Sequence, residues 1–322
     1  MEKAERITLS YREDRVGGKV RGVPGVSDEQ ALATAQHLVL LIHGYNNDAQ
    51  AATDAYDGFH DRLCDMDKDA RYGIGRKFVE VYWPGDGAWG MASFLYYMDS
   101  IQRAIKTAER LATYLAAQVP TGCRIDIIAH SMGCRLAMEL LRALACQKSA
   151  PGIGRIVFMA GAIPTFMLDK KNPPCRLRPG YDDVLREGAR SLYSGADSVL
   201  AFAFPAGQSL AKGEEGIKPT ALGHALWSET NTPHNLGQIE NAHAGHSDYW
   251  GWNTEPKALQ CAKQAVAQVR SYLQFPSAGS RQINCRFMLE RGAGEAREQP
   301  GGRGPVGRAA GENRGHLGPA GV

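Results

Sequence analysis

Apolar residues along this chain follow two alternating patterns. Short, largely apolar runs, at Leu38–Ile42, Phe78–Trp83, Ile125–Ile128 and Ile156–Ala160, read as strands, and the unbroken Leu38–Ile42 run as a parallel strand covered on both faces. Between them the spacing is helical: Ile101, Ile105, Ala108, Ala112 and Leu115 share one face, and Leu136, Leu140 and Leu144, with Ala137 and Leu141 beside them, share another. A third helical face carries Leu259, Ala262, Val266, Val269 and Leu273. Asp48 offers an N-cap for a helix running to Met66. Weaker signals are a short strand at Leu192–Tyr193, another at Leu236–Glu240, and an edge strand at Arg6–Tyr11 followed by a glycine-rich loop or hairpin. Strands alternating with helices imply an α/β fold, a doubly wound, mainly parallel sheet with helices on both faces.

The pattern divides the chain into an N-terminal edge strand and loop (1–30), a periodic domain (31–275) and a tail (276–322). Within the domain, the proline-rich stretch 161–190 is a candidate cap loop. The tail, dominated by Gly, Ala, Arg, Glu and Pro, cannot bury enough apolar surface to offset chain entropy and is expected to be disordered. A length of 322 residues with 43% hydrophobic content supports one full core and requires no second large domain. A net charge of +3, with no basic run interleaved with aromatics in the periodic part, argues against nucleic acid as a partner. Seven cysteines, odd in number and without C-x-x-C spacing, fit reduced thiols better than disulfides or zinc ligation. The first residues lack an apolar signal core, and no stretch reaches about 18 apolar residues. A cytoplasmic protein without integral membrane association is therefore expected, with signal-independent export as the alternative.

Candidate chemistry concentrates at Arg124–Cys134, RIDIIAHSMGC, where a strand ends in a small-x-Ser-x-Gly turn that opens a helix. Such a turn strains the serine and needs small neighbours, which Ala129 and Gly133 supply around Ser131. An ordinary capping serine is the plainer explanation, but the strand before and the amphipathic helix after favour a nucleophile. A serine hydroxyl is weak unless a histidine takes its proton and an acid orients that histidine. Asp197, which follows the Leu192–Tyr193 strand, is the candidate acid; Asp182 and Asp183 are rivals, Asp248 lies too near the histidine in sequence, and a helix cap also explains Asp197. His246 is the candidate base, with His243 as close competitor and His224 and His234 as polar loop residues; a metal site is disfavoured. The loop His43–Asn47 after the first apolar strand can donate the Tyr45 N–H, which with that of Met132 makes an oxyanion hole, although Gly and Asn also suit a tight turn. His43 reads as a structural hydrogen-bonding group. Trp83, Trp89 and Phe94 are candidates for lining a substrate pocket or lid, with core packing an equal alternative.

The segments LLIHGYNND (40–48), VYWPGDG (81–87), YYMDSIQRA (96–104), IAHSMGCRL (128–136), LYSGADSVL (192–200) and GHSDYW (245–250) carry a resemblance to the α/β-hydrolase superfamily, in particular to DUF900-related, esterase-like bacterial proteins. The resemblance covers roughly residues 35–275 and departs from the usual motif at Ala129, where a glycine is more common; residues 161–190 have no assignable counterpart. It implies Ser131, Asp197 and His246 as nucleophile, acid and base, and an oxyanion hole at Tyr45 and Met132. It also implies a lipase-like serine esterase acting on a small-molecule or lipid ester through an acyl-enzyme, with no cofactor. A thioesterase, amidase or acyltransferase would use the same parts. A binding or scaffold protein without turnover is the alternative from another class.

Overall fold

The computed structural model describes residues 6–13, 17–67, 73, 75–86, 93–147, 150–169, 176–210, 219–227 and 232–276. Its centre is an eight-stranded sheet in the order β2-β1-β4-β3-β5-β6-β7-β8. The strands are β1 (Arg6–Ser10), β2 (Gly25–Val26), β3 (His37–Ile42), β4 (Lys77–Tyr82), β5 (Arg124–His130), β6 (Gly152–Met159), β7 (Leu185–Tyr193) and β8 (Leu236–Glu240). All neighbours are parallel except the two-residue β2, which pairs antiparallel with β1. β1 therefore lies second from the edge, with β2 outside it. Helices α1 (Glu29–Ala33), α2 (Ala49–Met66), α3 (Ser93–Gln118), α4 (Met132–Leu144), α5 (Arg178–Val184), α6 (Phe204–Ser209) and α7 (Pro256–Leu273) make the connections.

Two apolar layers explain why the Leu38–Ile42 run of β3 is continuous. Leu38, Leu40 and Ile42 of β3 pack into one cluster with residues of α3 and α4, whereas the alternate Val39 and Leu41 enter a second with α2 and α7. A strand covered on both faces has no polar side to show, so its period of two is hidden in the sequence. The Asp48 carboxylate caps α2 by accepting from Ala51 N–H at 2.8 Å, a contact worth about 1 kcal/mol.

Within 161–190, the described residues 161–169 and 176–190 differ from a cap loop. Met167, Leu168, Leu177 and Tyr181 are fully buried, α5 packs on α4, and from Leu185 the chain is already strand β7. The apolar residues that suggested a cap close the core instead. Among the described residues no helix is long and apolar enough to cross a membrane. The expected tail, 276–322, lies outside the described residues beyond Pro276.

Candidate active site

β5 ends at His130 and α4 begins at Met132, leaving Ser131 between them at φ 53°, ψ −123°. A non-glycine residue in such a region costs about 1–3 kcal/mol and persists only when its surroundings fix it. Three backbone hydrogen bonds do so: Ser131 N–H donates to Met159 O (3.0 Å), and Ser131 O accepts from Cys134 N–H (3.0 Å) and Ala162 N–H (3.1 Å). Glycine at 133 is required by close approach, since a Cβ there would lie 2.4 Å from His43 O. The serine is 6% exposed.

The loop after β8 brings His246 to this turn, and the turn after β7 brings Asp197. His246 Nε2 lies 2.8 Å from Ser131 Oγ, and Nδ1 lies 2.8 Å from Asp197 Oδ2. A carboxylate only accepts, so Nδ1 carries the proton and Nε2 is left to accept from the serine hydroxyl. Asp197 is fully buried, while the His246 side chain is 17% exposed. The capping contact considered for Asp197 is also present, because its Oδ1 accepts from Leu200 N–H at 3.0 Å. The rival residues are placed elsewhere. Asp182 pairs with Arg178 on α5, and Asp183 is exposed on the same helix. The Asp248 carboxylate accepts from Gly245 N–H at 2.8 Å and so shapes the histidine loop. His243 and His234 are exposed and His224 is half-buried. Among the described residues no group of three or more His, Cys, Asp or Glu side chains is placed to hold a metal ion.

The loop after β3 forms the other wall. His43 is fully buried: Nδ1–H donates to Gly44 O (2.9 Å), and Nε2 accepts from Trp83 N–H (3.2 Å). Burial pushes its pKa down to about 3, so the ring is a neutral strut. Gly44 lies flat against the elbow, where a Cβ would meet Ser131 Cβ and His130 Nδ1 at 2.9 Å each. Tyr45 follows Gly44 in this loop, and Asn46 N–H donates to Gly85 O at 2.7 Å. Met132 is the first residue of α4, whose N–H has no partner inside the helix. The Arg12 guanidinium fastens this wall by donating to Asn47 O and Trp83 O at 3.0 Å each.

Trp83 corrects an expectation. It is wholly buried, its ring stacked on His43 at 5.6 Å and its indole N–H donating to His43 O at 2.8 Å, so it supports the loop from behind and presents no surface to a substrate. Trp89 and the side chain of Phe94, which lies in the first turn of α3, fall outside the described residues. Two contributors went unremarked in the sequence, Arg12 and His130. His130 is adjacent to the serine, but nothing in the chain signals that its Nε2 sits 2.7 Å from His246 O.

Sheet, crossovers and strand-to-helix elbow together are those of the α/β-hydrolase fold. More particularly, residues 27–170 match the family described as alpha/beta hydrolase of unknown function (DUF900). The matched stretch holds the His43–Asn47 loop and Ser131 but stops short of Asp197 and His246. Solved structures similar to the chain include a Listeria innocua gene product (13% identity, TM-score 0.41, covering 76% of this chain and 96% of that one). The esterase domain of a Rhodothermus marinus protein is another (12%, TM-score 0.35, 74% and 88%). A third is a Pyrococcus furiosus esterase (12%, TM-score 0.36, 75% and 82%). No curated protein matches the chain.

Proposed function

We propose that this protein is a serine hydrolase that cleaves carboxylic esters through an acyl-enzyme. The observation that carries the reading is the unbroken line from a strained Ser131 through His246 to a buried Asp197, with both contacts at 2.8 Å. Ser131 Oγ attacks the ester carbonyl carbon as its proton passes to His246 Nε2. The buried Asp197 carboxylate holds the ring in the required tautomer and stabilises the imidazolium. The oxyanion develops between the N–H groups of Tyr45 and Met132, at the positive end of α4. On collapse the alcohol leaves with the proton from His246. A water then delivers its proton to His246 and its oxygen to the acyl carbon, and Ser131 departs reprotonated with release of the acid.

An uncharged substrate is favoured by the chain that follows Asp197. Residues 198–210 contain no charged side chain, and they expose Val199, Phe202 and Leu210 by 41%, 77% and 55%. An apolar acyl chain or a lipid ester suits such a rim. The five described cysteines are all free thiols, which supports a reducing, cytoplasmic setting.

The test is labelling with a fluorescent fluorophosphonate, followed by hydrolysis of matched ester, thioester and anilide substrates. Wild type should label and prefer the ester, and Ser131→Ala should do neither while keeping its fold. A folded wild type that does not label would overturn the reading.

A further inference from the structure

The base of this site is carried by a weak part of the sheet. β8 is the edge strand, paired only with β7, and of its five residues only Leu236 is buried. Yet the loop it leads to must keep His246 Nε2 within hydrogen-bonding reach of Ser131 Oγ, and about 1 Å of misplacement can lower turnover on the order of 100-fold.

His130 supplies an anchor at His246 itself. Its Nε2 is 2.7 Å from the main-chain oxygen of His246, and because a carbonyl only accepts, Nε2 must carry a proton. The consecutive residues His130 and Ser131 thus grip His246 at two points, the ring on its backbone and the hydroxyl on its own ring. His130 is 5% exposed, with its ring centroid 5.1 Å from that of His246 and 6.0 Å from both Tyr249 and Trp250. Its Nδ1 is buried with no hydrogen-bond partner. That atom faces Gly44, where a Cβ would come within 2.9 Å, so the Gly44–Tyr45 wall rests on the same imidazole. An orphaned buried acceptor is costly. A plain hydrocarbon ring would fill the space without that cost but could not donate to His246.

We propose that His130 is a positioning residue: its imidazole ties the histidine loop and the Gly44 wall to the nucleophile turn, setting the Ser131–His246 geometry. This rests on the hydrolytic reading above. Burial, and secondarily the neighbouring His246, push the His130 pKa down to about 3, which keeps the ring a neutral donor at ordinary pH.

Three variants of the full chain, His130→Phe, His130→Gln and His130→Asn, test this with p-nitrophenyl acetate turnover and the rate of fluorophosphonate labelling. Glutamine can place its amide nitrogen near the position of Nε2, whereas asparagine is too short. The expected result is a kcat and labelling rate lowered by about 10- to 100-fold in His130→Phe with KM little changed, and recovery of most of the loss in His130→Gln. Equal rates in wild type and folded His130→Phe would overturn the proposal. If the Phe variant does not fold, the Gln and Asn pair decides: a faster Gln variant supports it and equal rates overturn it. Failure of wild type itself to label would count against the hydrolytic reading instead.

Discussion

Asp197 divides its carboxylate between two partners, His246 on Oδ2 and Leu200 N–H on Oδ1. The two roles separate on substitution. Asp197→Asn keeps an acceptor for the cap but can present N–H to His246 and reverse its tautomer, so kcat should fall by about 10,000-fold with the urea midpoint near that of wild type. Asp197→Ala should lose turnover and also about 1 kcal/mol of stability. Retained turnover in the Asn variant would remove Asp197 from the mechanism. The buried histidines make a different prediction. His43 and His130 have pKa values pushed down to about 3 by burial, against 6.5 for the free side chain. Unfolding lets each bind a proton between those limits, so the stability they allow is intact above pH 6.5 and drains away as the pH falls toward 3. The loss is about 1.4 kcal/mol per histidine for each pH unit. Urea midpoints measured from pH 8 to 4.5 should drop steeply below 6.5, and less so in His130→Gln. At this scale the meeting of Ser131, Asp197 and His246 was legible, because each follows a strand end and the acid precedes the histidine. Trp83 and His130 were not, since an aromatic beside a strand reads the same in front of a pocket as behind one, and a contact to a backbone oxygen leaves no trace in residue type.

Helices and strands were legible where one pattern ruled and obscure where charge intruded. The Asp48 cap, the body of α2 and the helix α4 that follows Ser131 stand where the sequence pattern placed them. β7 was seen only at Leu192–Tyr193, yet it begins at Leu185, because Arg186, Glu187 and Arg190 break its apolar run. Of these, Glu187 is balanced across the sheet by Arg124 and by Arg155, the latter at 2.7 Å, and no local pattern can announce a partner 63 residues away. The element just past β7 is a π-helix, Val199–Ala203, continued by α6, a form often found beside functional sites. Its first turn is fixed by Asp197, and Phe202 stands 77% exposed one turn beyond. If this rim receives the acyl chain, Phe202→Glu should leave acetate hydrolysis unchanged, because the side chain has little packing to lose. It should also lower kcat/KM for long-chain p-nitrophenyl esters by about 10-fold, the cost of bringing a charge against apolar surface. Identical chain-length profiles for the two proteins would detach the rim from substrate binding.

Across the whole molecule, the site depends on loops from both halves of the sheet meeting at the carboxyl ends of the strands, where ligands of open α/β sheets bind. On one half a buried ion pair does the joining. Arg12, just past β1, lies with Nη2 3.0 Å from Asp86 Oδ1, past β4, and the two side chains are 10% and 4% exposed. The same guanidinium holds Asn47 O and Trp83 O, while Asp86 accepts from Gly17 N–H through Oδ2 and from Arg103 through its backbone oxygen. Removing one member of such a pair strands a charge away from water. Asp86→Leu should therefore cost about 3–5 kcal/mol in urea unfolding, far more than the net worth of the pair. It should also loosen the Gly44–Tyr45 wall and lower kcat, although Asp86 touches no reacting atom. The double variant Arg12→Met/Asp86→Leu leaves no stranded charge and should recover much of the stability, giving a coupling energy of one to several kcal/mol in a double-mutant cycle. It should not recover kcat, because Asn47 O and Trp83 O have then lost their donor. Additive losses in the cycle would mean that the two residues act independently, and full recovery of kcat would mean that the wall needs no fastening from β1.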